Sequence, residues 1–151
     1  MRIAADTSLL LRLYIRDVET PRIERFLTED AKVVGVSDLA RVEVLNVLLR
    51  DRSRADRFLA DLAEGTRLRR EFVAWPQTFQ QAESLARRFS RSLRPGGHDL
   101  VLVASAVTLG ATWFLSFDRN SHQRPLAFAA GLKVWPPLTP DEKGLARQAE
   151  R

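Results

Sequence analysis

Residues 95–107, PGGHDLVLVASAV, decide how the rest of the chain is interpreted. Two glycines interrupt the preceding helical pattern, and the run after them is apolar on every side, which predicts a buried helix that begins at an acid. Asp99 has an ordinary explanation as the N-cap of that helix, where its charge also complements the helix dipole. His98 is expected to cap the helix or to face solvent. A chemical role for Asp99 therefore depends on other acids placed in the same way.

Length and composition restrict the class of protein. With 151 residues, 45% of them hydrophobic, the chain is expected to form one domain with a substantial core. It has no cysteine, which excludes disulfides and thiolate zinc sites. Its apolar runs are shorter than the roughly 20 residues of a membrane span, and its N-terminus lacks the apolar region of a signal peptide. We therefore expect a soluble, cytoplasmic protein without a membrane segment.

The net charge of +5 is concentrated in one segment of the chain. Residues 50–94 contain 11 basic and 6 acidic residues, whereas the remainder contains 13 of each. Such an excess suits a polyanionic partner, and a solvated arginine-rich surface explains it equally well. Arg88, Arg91 and Arg94 precede the two glycines, where they are candidates to line the path of a phosphate chain toward Asp99. Complementing the dipole at the end of a helix is an equally good explanation for them.

Strand and helix patterns alternate along the chain. Short apolar strands are predicted at residues 2–5, 32–36, 71–75, 111–117 and 132–135. This alternation predicts an α/β fold with a central parallel sheet of about five short strands, right-handed crossovers and flanking helices. Residues 1–137 are expected to form the domain, and residues 138–151 a polar, loose C-terminal tail.

Four acids occupy equivalent places in this alternation. Asp6 and Asp118 directly follow the first and fourth strands, while Glu43 and Asp99 lie in the first turns of helices. Ligands of parallel sheets gather outside the carboxyl ends of the strands, so the four carboxylates are expected to converge there. A cap or a turn explains each acid separately. A cluster of acids, however, needs cations, and hard oxygen ligands of this kind suit Mg²⁺ or Mn²⁺.

Glu43 is expected to be buried, because the helix around it is apolar on almost every side. The residues three and four positions away on that helix are Leu39, Ala40, Asn46 and Val47, so no neighbouring cation neutralises the carboxylate. A buried carboxylate then requires a remote arginine, a shared proton or a metal ion. The remote ion pair and the ligand role are equally good interpretations at this stage.

The order and spacing of these acids resemble the PIN-domain family, and more narrowly the ribonuclease toxins of bacterial VapBC toxin–antitoxin modules. The resemblance covers about residues 1–137, including the closing residues 129–134, AAGLKV. It implies a three-layer PIN-like fold and a catalytic, metal-binding quartet. The quartet is Asp6, Glu43, Asp99 and Asp118. Ser8, Ser116 and Asn120 are expected to support it, and since many relatives have an acid in place of Asn120, a fully occupied second metal site does not follow.

The resemblance also implies a function. It predicts an Mg²⁺-dependent endoribonuclease, a hydrolase in which metal-activated water cleaves RNA phosphodiester bonds. The candidate RNA contacts are Arg88, Arg91, Arg94 and Arg119. The alternative is a non-catalytic RNA-binding domain, which would keep the arginines and show no metal dependence.

Further partners are implied by the same resemblance. They are a cognate antitoxin, which packs in a groove of the first helices, and a second copy of the chain in a homodimer. The apolar side chains available for such a groove are Leu13, Tyr14, Ile23 and Phe26. Packing in the core of the monomer explains the same four residues.

Overall fold

The computed structural model describes residues 2–150, and within them five short strands alternate with eight α-helices. The strands are β1 (Ile3–Ala5), β2 (Val34–Ser37), β3 (Leu68–Glu71), β4 (Trp113–Leu115) and β5 (Lys133–Trp135). The helices are α1 (Thr7–Arg12), α2 (Thr20–Thr28), α3 (Asp38–Leu48), α4 (Arg52–Glu64), α5 (Trp75–Leu93), α6 (Gly97–Thr108), α7 (Gln123–Ala129) and α8 (Pro140–Ala149). None of the helices in this part of the chain has the length and apolar character needed to cross a membrane.

The five strands form one parallel sheet in the order β3-β2-β1-β4-β5. Alternate side chains of β1, β4 and β5 enter two separate cores, as the two-residue period of a strand requires. Leu115 packs with α1, α2, α3 and α4 on one face, and Phe114 packs with α5, α6, α7 and α8 on the other. This arrangement confirms the predicted three-layer α/β fold with a central parallel sheet.

The central position of β1 brings several chain segments together at one edge of the sheet. β1 pairs with both β2 and β4, so the carboxyl ends of these three strands are neighbours. The backbone N–H of Asp6 continues the pairing by donating to the carbonyl of Leu115 at 3.0 Å. Helices α1 and α3 begin directly after β1 and β2, with Asp6 and Ser37 as their N-caps. The first side chains of both helices therefore lie at this edge.

The third strand begins earlier in the chain than the sequence predicts. β3 ends at Glu71, whereas the apolar pattern placed a strand at residues 71–75. Trp75 instead opens α5, where Pro76 occupies the first turn, a position that suits proline. Phe72, which the pattern assigned to the strand, is 76% exposed just beyond it.

The C-terminal segment is a packed helix, so the prediction of a loose tail is wrong. α8 begins with a capping box, in which Thr139 and Glu142 each bond the other's backbone N–H. Ala146 is fully buried against the core formed with α5 and α7, and Glu142 forms an ion pair with the buried Arg124. The packing of α8 depends on contacts with residues distant in sequence, which its polar local sequence does not reveal. The domain boundary at residue 137 stays a prediction.

Candidate active site

All four acids singled out from the sequence line one cavity of about 280 Å³ at the carboxyl edge of the sheet. Its other lining residues are Thr7, Ser8, Leu11, His98, Leu102 and Gln123. A larger cavity of about 520 Å³ lies between α2 and the start of β3, lined by Glu24, Lys32 and Arg67 among others. That cavity contains no group of acids, so size alone does not identify the site. The expected convergence of the four carboxylates on one cavity is observed, while their role as ligands stays a prediction.

Asp6 is held in the floor of the cavity by hydrogen bonds from α1. Its side chain is N-cap of the helix, accepting from the Leu9 N–H at 3.0 Å, and the Ser8 hydroxyl lies 2.7 Å and 2.9 Å from the two carboxylate oxygens. The residue is 3% exposed. Burial raises the pKa of Asp6 to about 6, against the lowering effect of bonds from Ser116, Ser8 and Leu9, and the nearby charge of Asp118 raises it further. Asp6 therefore carries a charge that its surroundings disfavour at neutral pH.

Ser116 lies at the end of β4 and connects three parts of the site through its hydroxyl. Its Oγ is 2.6 Å from Asp6 Oδ2 and 2.9 Å from Gln123 Oε1, and it accepts from the backbone N–H of Asp118 at 3.1 Å. The residue is fully buried. The expected supporting role of Ser116 thus corresponds to direct contact with Asp6, and Ser8 makes the same kind of contact from the other side.

Asp99 is the third residue of α6, not its N-cap as the sequence suggested. The N-cap is Gly96, whose backbone N–H donates to Asp99 Oδ2 at 3.3 Å, so the acid reaches back over the first turn. A Cβ atom on Gly96 would lie 3.3 Å from that same oxygen, which favours glycine at this position. The other oxygen, Oδ1, accepts from Gln123 Nε2 at 3.1 Å. Asp99 is 8% exposed, so the helix directs its carboxylate into the cavity wall.

Gln123 is the residue of this site that the sequence analysis missed. It is the first residue of α7 and is 2% exposed, with its amide in contact with both Ser116 and Asp99. A signal was available, since a glutamine beside an arginine at the start of a short apolar helix is unusual and a buried amide needs partners. The identity of those partners depends on contacts distant in sequence.

Glu43 is less buried than predicted, because its face of α3 turns toward the open side of the cavity. Its side chain is 31% exposed, although its Oε1 atom is itself buried and makes no hydrogen bond within residues 2–150. The imidazole Nε2 of His98 lies 3.1 Å from that oxygen without the alignment of a hydrogen bond. The partner anticipated for an ion pair is thus a half-exposed histidine, and no buried arginine fills that role in the described chain.

Asp118 lies in a turn that is closed by hydrogen bonds to its own side chain. Its Oδ1 accepts from the backbone N–H groups of Asn120 and Ser121 at 3.0 Å and 3.3 Å, and its Oδ2 accepts from the Ser121 hydroxyl at 3.0 Å. This is the turn conformation that a lone Asp in a polar loop commonly adopts. Asn120 contacts Asp118 through its backbone, while Asn120 as a whole is exposed.

The donor chemistry of the cavity fits a hard divalent cation better than its present side-chain arrangement does. The potential ligands are carboxylate oxygens, which Mg²⁺ and Mn²⁺ prefer, and the buried Glu43 Oε1 and Thr7 Oγ1 have no hydrogen-bond partner among residues 2–150. Within those residues, however, no three acidic or histidine side chains are grouped closely enough to hold an ion. The donors are present at one cavity, but the carboxylates of Asp6, Asp99 and Asp118 accept hydrogen bonds from protein groups.

The four arginines expected to contact RNA are exposed. Arg88 and Arg91 lie on the last turns of α5, Arg94 follows that helix, and Arg119 is in the loop after Asp118. Within residues 2–150 none of them forms a salt bridge, although the Arg88 guanidinium lies over the Phe89 ring, 4.7 Å from its centroid. Their charges are therefore available to a polyanion.

The apolar residues proposed to line an antitoxin groove pack mainly inside the monomer. Leu13, Tyr14 and Ile23 are 7%, 6% and 0% exposed, respectively. Phe26 is partly buried and stacks on Trp135 with 4.2 Å between ring centroids. Core packing therefore accounts for Leu13, Tyr14 and Ile23, while Phe26 stays partly accessible.

Comparisons with known proteins agree with the fold. The family described as PIN domain matches residues 3–126, which include all four acids. No curated protein gives a significant match to the sequence. Among solved structures, the Mycobacterium tuberculosis toxin VapC20, described as cleaving the sarcin–ricin loop, is 24% identical with a TM-score of 0.62, over 86% of this chain and 95% of that one.

Two further structures show the same fold at lower identity. FitAB, bound to a DNA fragment called IR36, is 16% identical with a TM-score of 0.62, over 88% of this chain and 93% of that one. FitAcB from Neisseria gonorrhoeae is 15% identical with a TM-score of 0.53, over 89% and 97%. Since the family match covers most of the sequence, the chain belongs to the PIN-domain family.

Proposed function

We propose that this PIN domain is a metal-dependent endoribonuclease that acts as the toxin of a toxin–antitoxin pair. The observation that carries the proposal is the placement of four carboxylates, from four separate elements of the fold, around one cavity at the carboxyl edge of the sheet. If each acid served only as a helix cap or in a turn, nothing would require all four to lie around the same cavity. The similarity to VapC20, itself described as a toxin that cleaves an RNA loop, supports the same conclusion.

Asp6, Asp99, Glu43 and Asp118 would hold the metal ion or ions, with Mg²⁺ or Mn²⁺ as the candidates. When bound, such an ion lowers the pKa of a coordinated water and stabilises charge on the scissile phosphate. Other side chains of the protein would keep these ligands in position. Asp6 would bind as the carboxylate, while Ser8 and Ser116 hold its oxygens in place. Gln123 keeps Asp99 directed at the same cavity.

RNA would reach the cavity along the basic side of α5. Arg91 and Arg94 belong to the end of that helix and the short connection that leads to Asp99 on α6, so phosphate contacts there would extend to the acids. Single-stranded RNA suits such a site, because its bases are accessible outside an A-form groove. Arg88 and Arg119 would add contacts on either side, consistent with their exposure.

The proposed partners are a cognate antitoxin and a second copy of the chain. Several large apolar side chains are exposed and suit coverage by another protein: Val18, Val42, Leu49 and Phe72, which are 93%, 64%, 61% and 76% exposed. Light scattering of the purified chain tests the homodimer. A complex with a candidate antitoxin, recovered after co-expression and lost when Val42 and Leu49 are replaced by Asp, tests the antitoxin.

A non-catalytic RNA-binding domain is the second candidate, and one observation favours it. Within residues 2–150 the carboxylates of Asp6, Asp99 and Asp118 accept hydrogen bonds from protein groups, and no three acidic or histidine side chains are grouped as metal ligands. Under this alternative the exposed arginines bind RNA and the acids serve only as caps and turns. RNA binding would then be unaffected by EDTA, and no cleavage would occur with Mg²⁺.

Cleavage of labelled RNA in Mg²⁺ and in EDTA separates the two functions. We expect the wild-type chain to cut RNA in Mg²⁺ and not in EDTA. Asp6→Asn and Asp99→Asn should each lower the rate at least about 100-fold, since removing a charged ligand affects both metal binding and transition-state stabilisation. Asp56→Asn is the matched control, because Asp56 is exposed on α4 and lies outside the cavity. Equal activity of all four proteins, or activity that persists in EDTA, contradicts the proposed function.

A further inference from the structure

A chain of hydrogen bonds joins Asp6 to Asp99 through two intervening side chains. Asp6 Oδ2 is 2.6 Å from Ser116 Oγ, which is 2.9 Å from Gln123 Oε1, and Gln123 Nε2 donates to Asp99 Oδ1 at 3.1 Å. The four residues come from the ends of β1 and β4 and from the first turns of α6 and α7. One buried amide therefore completes the only side-chain link seen, within residues 2–150, between these two acids.

The polarity of this link is set by the amide of Gln123. An amide has one accepting and one donating end, so the NH₂ group faces the Asp99 carboxylate and the oxygen faces Ser116. The reverse orientation would place two oxygens against each other at Asp99. Ser116 Oγ lies within hydrogen-bond distance of both Gln123 Oε1 and Asp6 Oδ2 and has a single proton to donate between them, while one of its lone pairs accepts from the Asp118 N–H.

The surroundings give Gln123 little freedom to move. Its side chain is buried with 2% of the residue exposed, and its own N–H donates to the Ser121 hydroxyl at 3.3 Å. The next residue, Arg124, is fully buried and donates to the backbone carbonyl of Ser116 and to Glu142. Gln123 and Arg124, the first two residues of α7, therefore contact the hydroxyl and the backbone carbonyl of Ser116, respectively. Because the Gln123 side chain is fixed, it restricts the positions of the Ser116 hydroxyl and the Asp99 carboxylate that it contacts.

We propose that Gln123 is a positioning residue that holds Asp6 and Asp99 at the separation and orientation required for binding a divalent ion. Its role is exerted through Ser116 on one side and directly on Asp99 on the other. The inference rests on the proposed metal-dependent function, and it adds a residue that touches neither the ion nor RNA. Outer partners that orient metal-binding carboxylates commonly alter metal affinity 10- to 100-fold, so about that loss is expected without Gln123.

Direct measurement of Mn²⁺ binding by the full chain tests this inference without relying on cleavage. Gln123→Met keeps the length of the side chain and removes both hydrogen bonds, while Gln80→Met is the control on the exposed face of α5. We expect the Kd for Mn²⁺, followed by the electron paramagnetic resonance signal of the free ion, to rise about 10- to 100-fold in the first variant. The control should bind as the wild type does. Thermal unfolding in EDTA establishes that each variant is folded.

A second variant and a double mutant make the result specific. Gln123→Asn keeps the amide but is one methylene too short to reach both partners, so it should also weaken Mn²⁺ binding, and it serves where Gln123→Met fails to fold. If the link acts as a unit, Ser116→Ala combined with Gln123→Met should bind Mn²⁺ no more weakly than the worse single variant does.

The outcomes distinguish this inference from the proposed function on which it rests. Mn²⁺ affinity within twofold of wild type in both Gln123 variants, or strictly additive losses in the double mutant, overturns the positioning role and leaves the metal site standing. Absence of Mn²⁺ binding by the wild-type chain overturns the metal site itself and the positioning role with it.

Discussion

Replacement of Asp6 by Asn should stabilise the metal-free protein at neutral pH, although it removes a residue proposed to be essential. Burial raises the pKa of Asp6 from 3.8 to about 6. Since a tenfold change in proton affinity corresponds to about 1.4 kcal/mol, ionised Asp6 costs the folded chain on the order of 3 kcal/mol relative to the unfolded chain. Asn carries no charge and avoids this cost.

The hydrogen-bond geometry indicates that Asn fits the site. The Ser116 hydroxyl has one proton, yet it lies within hydrogen-bond distance of both Asp6 Oδ2 and Gln123 Oε1. An amide NH₂ at position 6 would donate to Ser116, whose proton then serves Gln123. The amide oxygen would accept from the Leu9 N–H and the Ser8 hydroxyl as the carboxylate does now. We therefore expect most of the electrostatic gain to be retained.

The difference in stability between wild type and Asp6→Asn should depend on pH in a direction set by the raised pKa of Asp6. Below about pH 4 Asp6 is protonated in both the folded and unfolded chains, so wild type and Asp6→Asn should have similar free energies of unfolding. As the pH rises from about 4 to 6 the unfolded chain ionises first, the wild type loses stability relative to the mutant, and the difference becomes constant above about pH 6.

Urea denaturation in EDTA at several pH values between 4 and 8 measures this difference. The exposed Asp56→Asn variant controls for the loss of one negative charge. The reasoning is refuted if Asp6→Asn is less stable than wild type at pH 7, or if the difference between the two proteins is the same at pH 4.5 and pH 7.

Three further predictions concern other charged residues. Glu43→Gln should change the stability in EDTA by less than about 1 kcal/mol, because the side chains of Glu43 and the neighbouring His98 are both partly exposed. Mg²⁺ should stabilise the wild type more than the mutant in the same denaturation assay. Glu142→Gln should cost about 3 kcal/mol by leaving the buried Arg124 without its carboxylate. Burial alone would raise the pKa of Glu142, but hydrogen bonds from Arg124 and from the capping box lower it below its usual value. The stability that this pair gives the wild type should therefore be lost as the pH falls through that lowered pKa. In an acid titration of stability, Glu142→Gln should not show this loss. Replacing Arg91 and Arg94 together by Gln should reduce the salt dependence of RNA binding by about 1.4 in log–log slope, measured by fluorescence anisotropy, while the Mn²⁺ affinity stays unchanged.

The fold and the location of the acids follow from local sequence patterns. The first and fourth strands are apolar and are followed within a few residues by polar turns or caps, and this pattern places Asp6 and Asp118 beyond the ends of β1 and β4. Parallel pairing then brings the two ends together without any further information. The apolar run after Asp99 likewise identifies α6, and only its first residues were misassigned, because a glycine rather than the acid is the N-cap.

The parts that the sequence did not predict depend on contacts between distant segments. Gln123 meets Asp99 across 24 residues of chain, and Arg124 meets Glu142 across 18. The burial of Glu43 was overestimated because an apolar helix predicts contact on all sides, whereas here one side opens onto a cavity. The helix α8 was missed for the converse reason, since its polar sequence is stabilised by a capping box and by one buried cation.

The central claim is that the acids at the sheet edge form one divalent-metal site, and anomalous diffraction from crystals soaked in Mn²⁺ tests it most directly. The account predicts a manganese peak inside the cavity, within about 2.5 Å of carboxylate oxygens from both Asp6 and Asp99. It also predicts that the peak is absent from crystals of Asp6→Asn. A cavity without a peak, at an Mn²⁺ concentration that supports RNA cleavage in solution, would contradict the account.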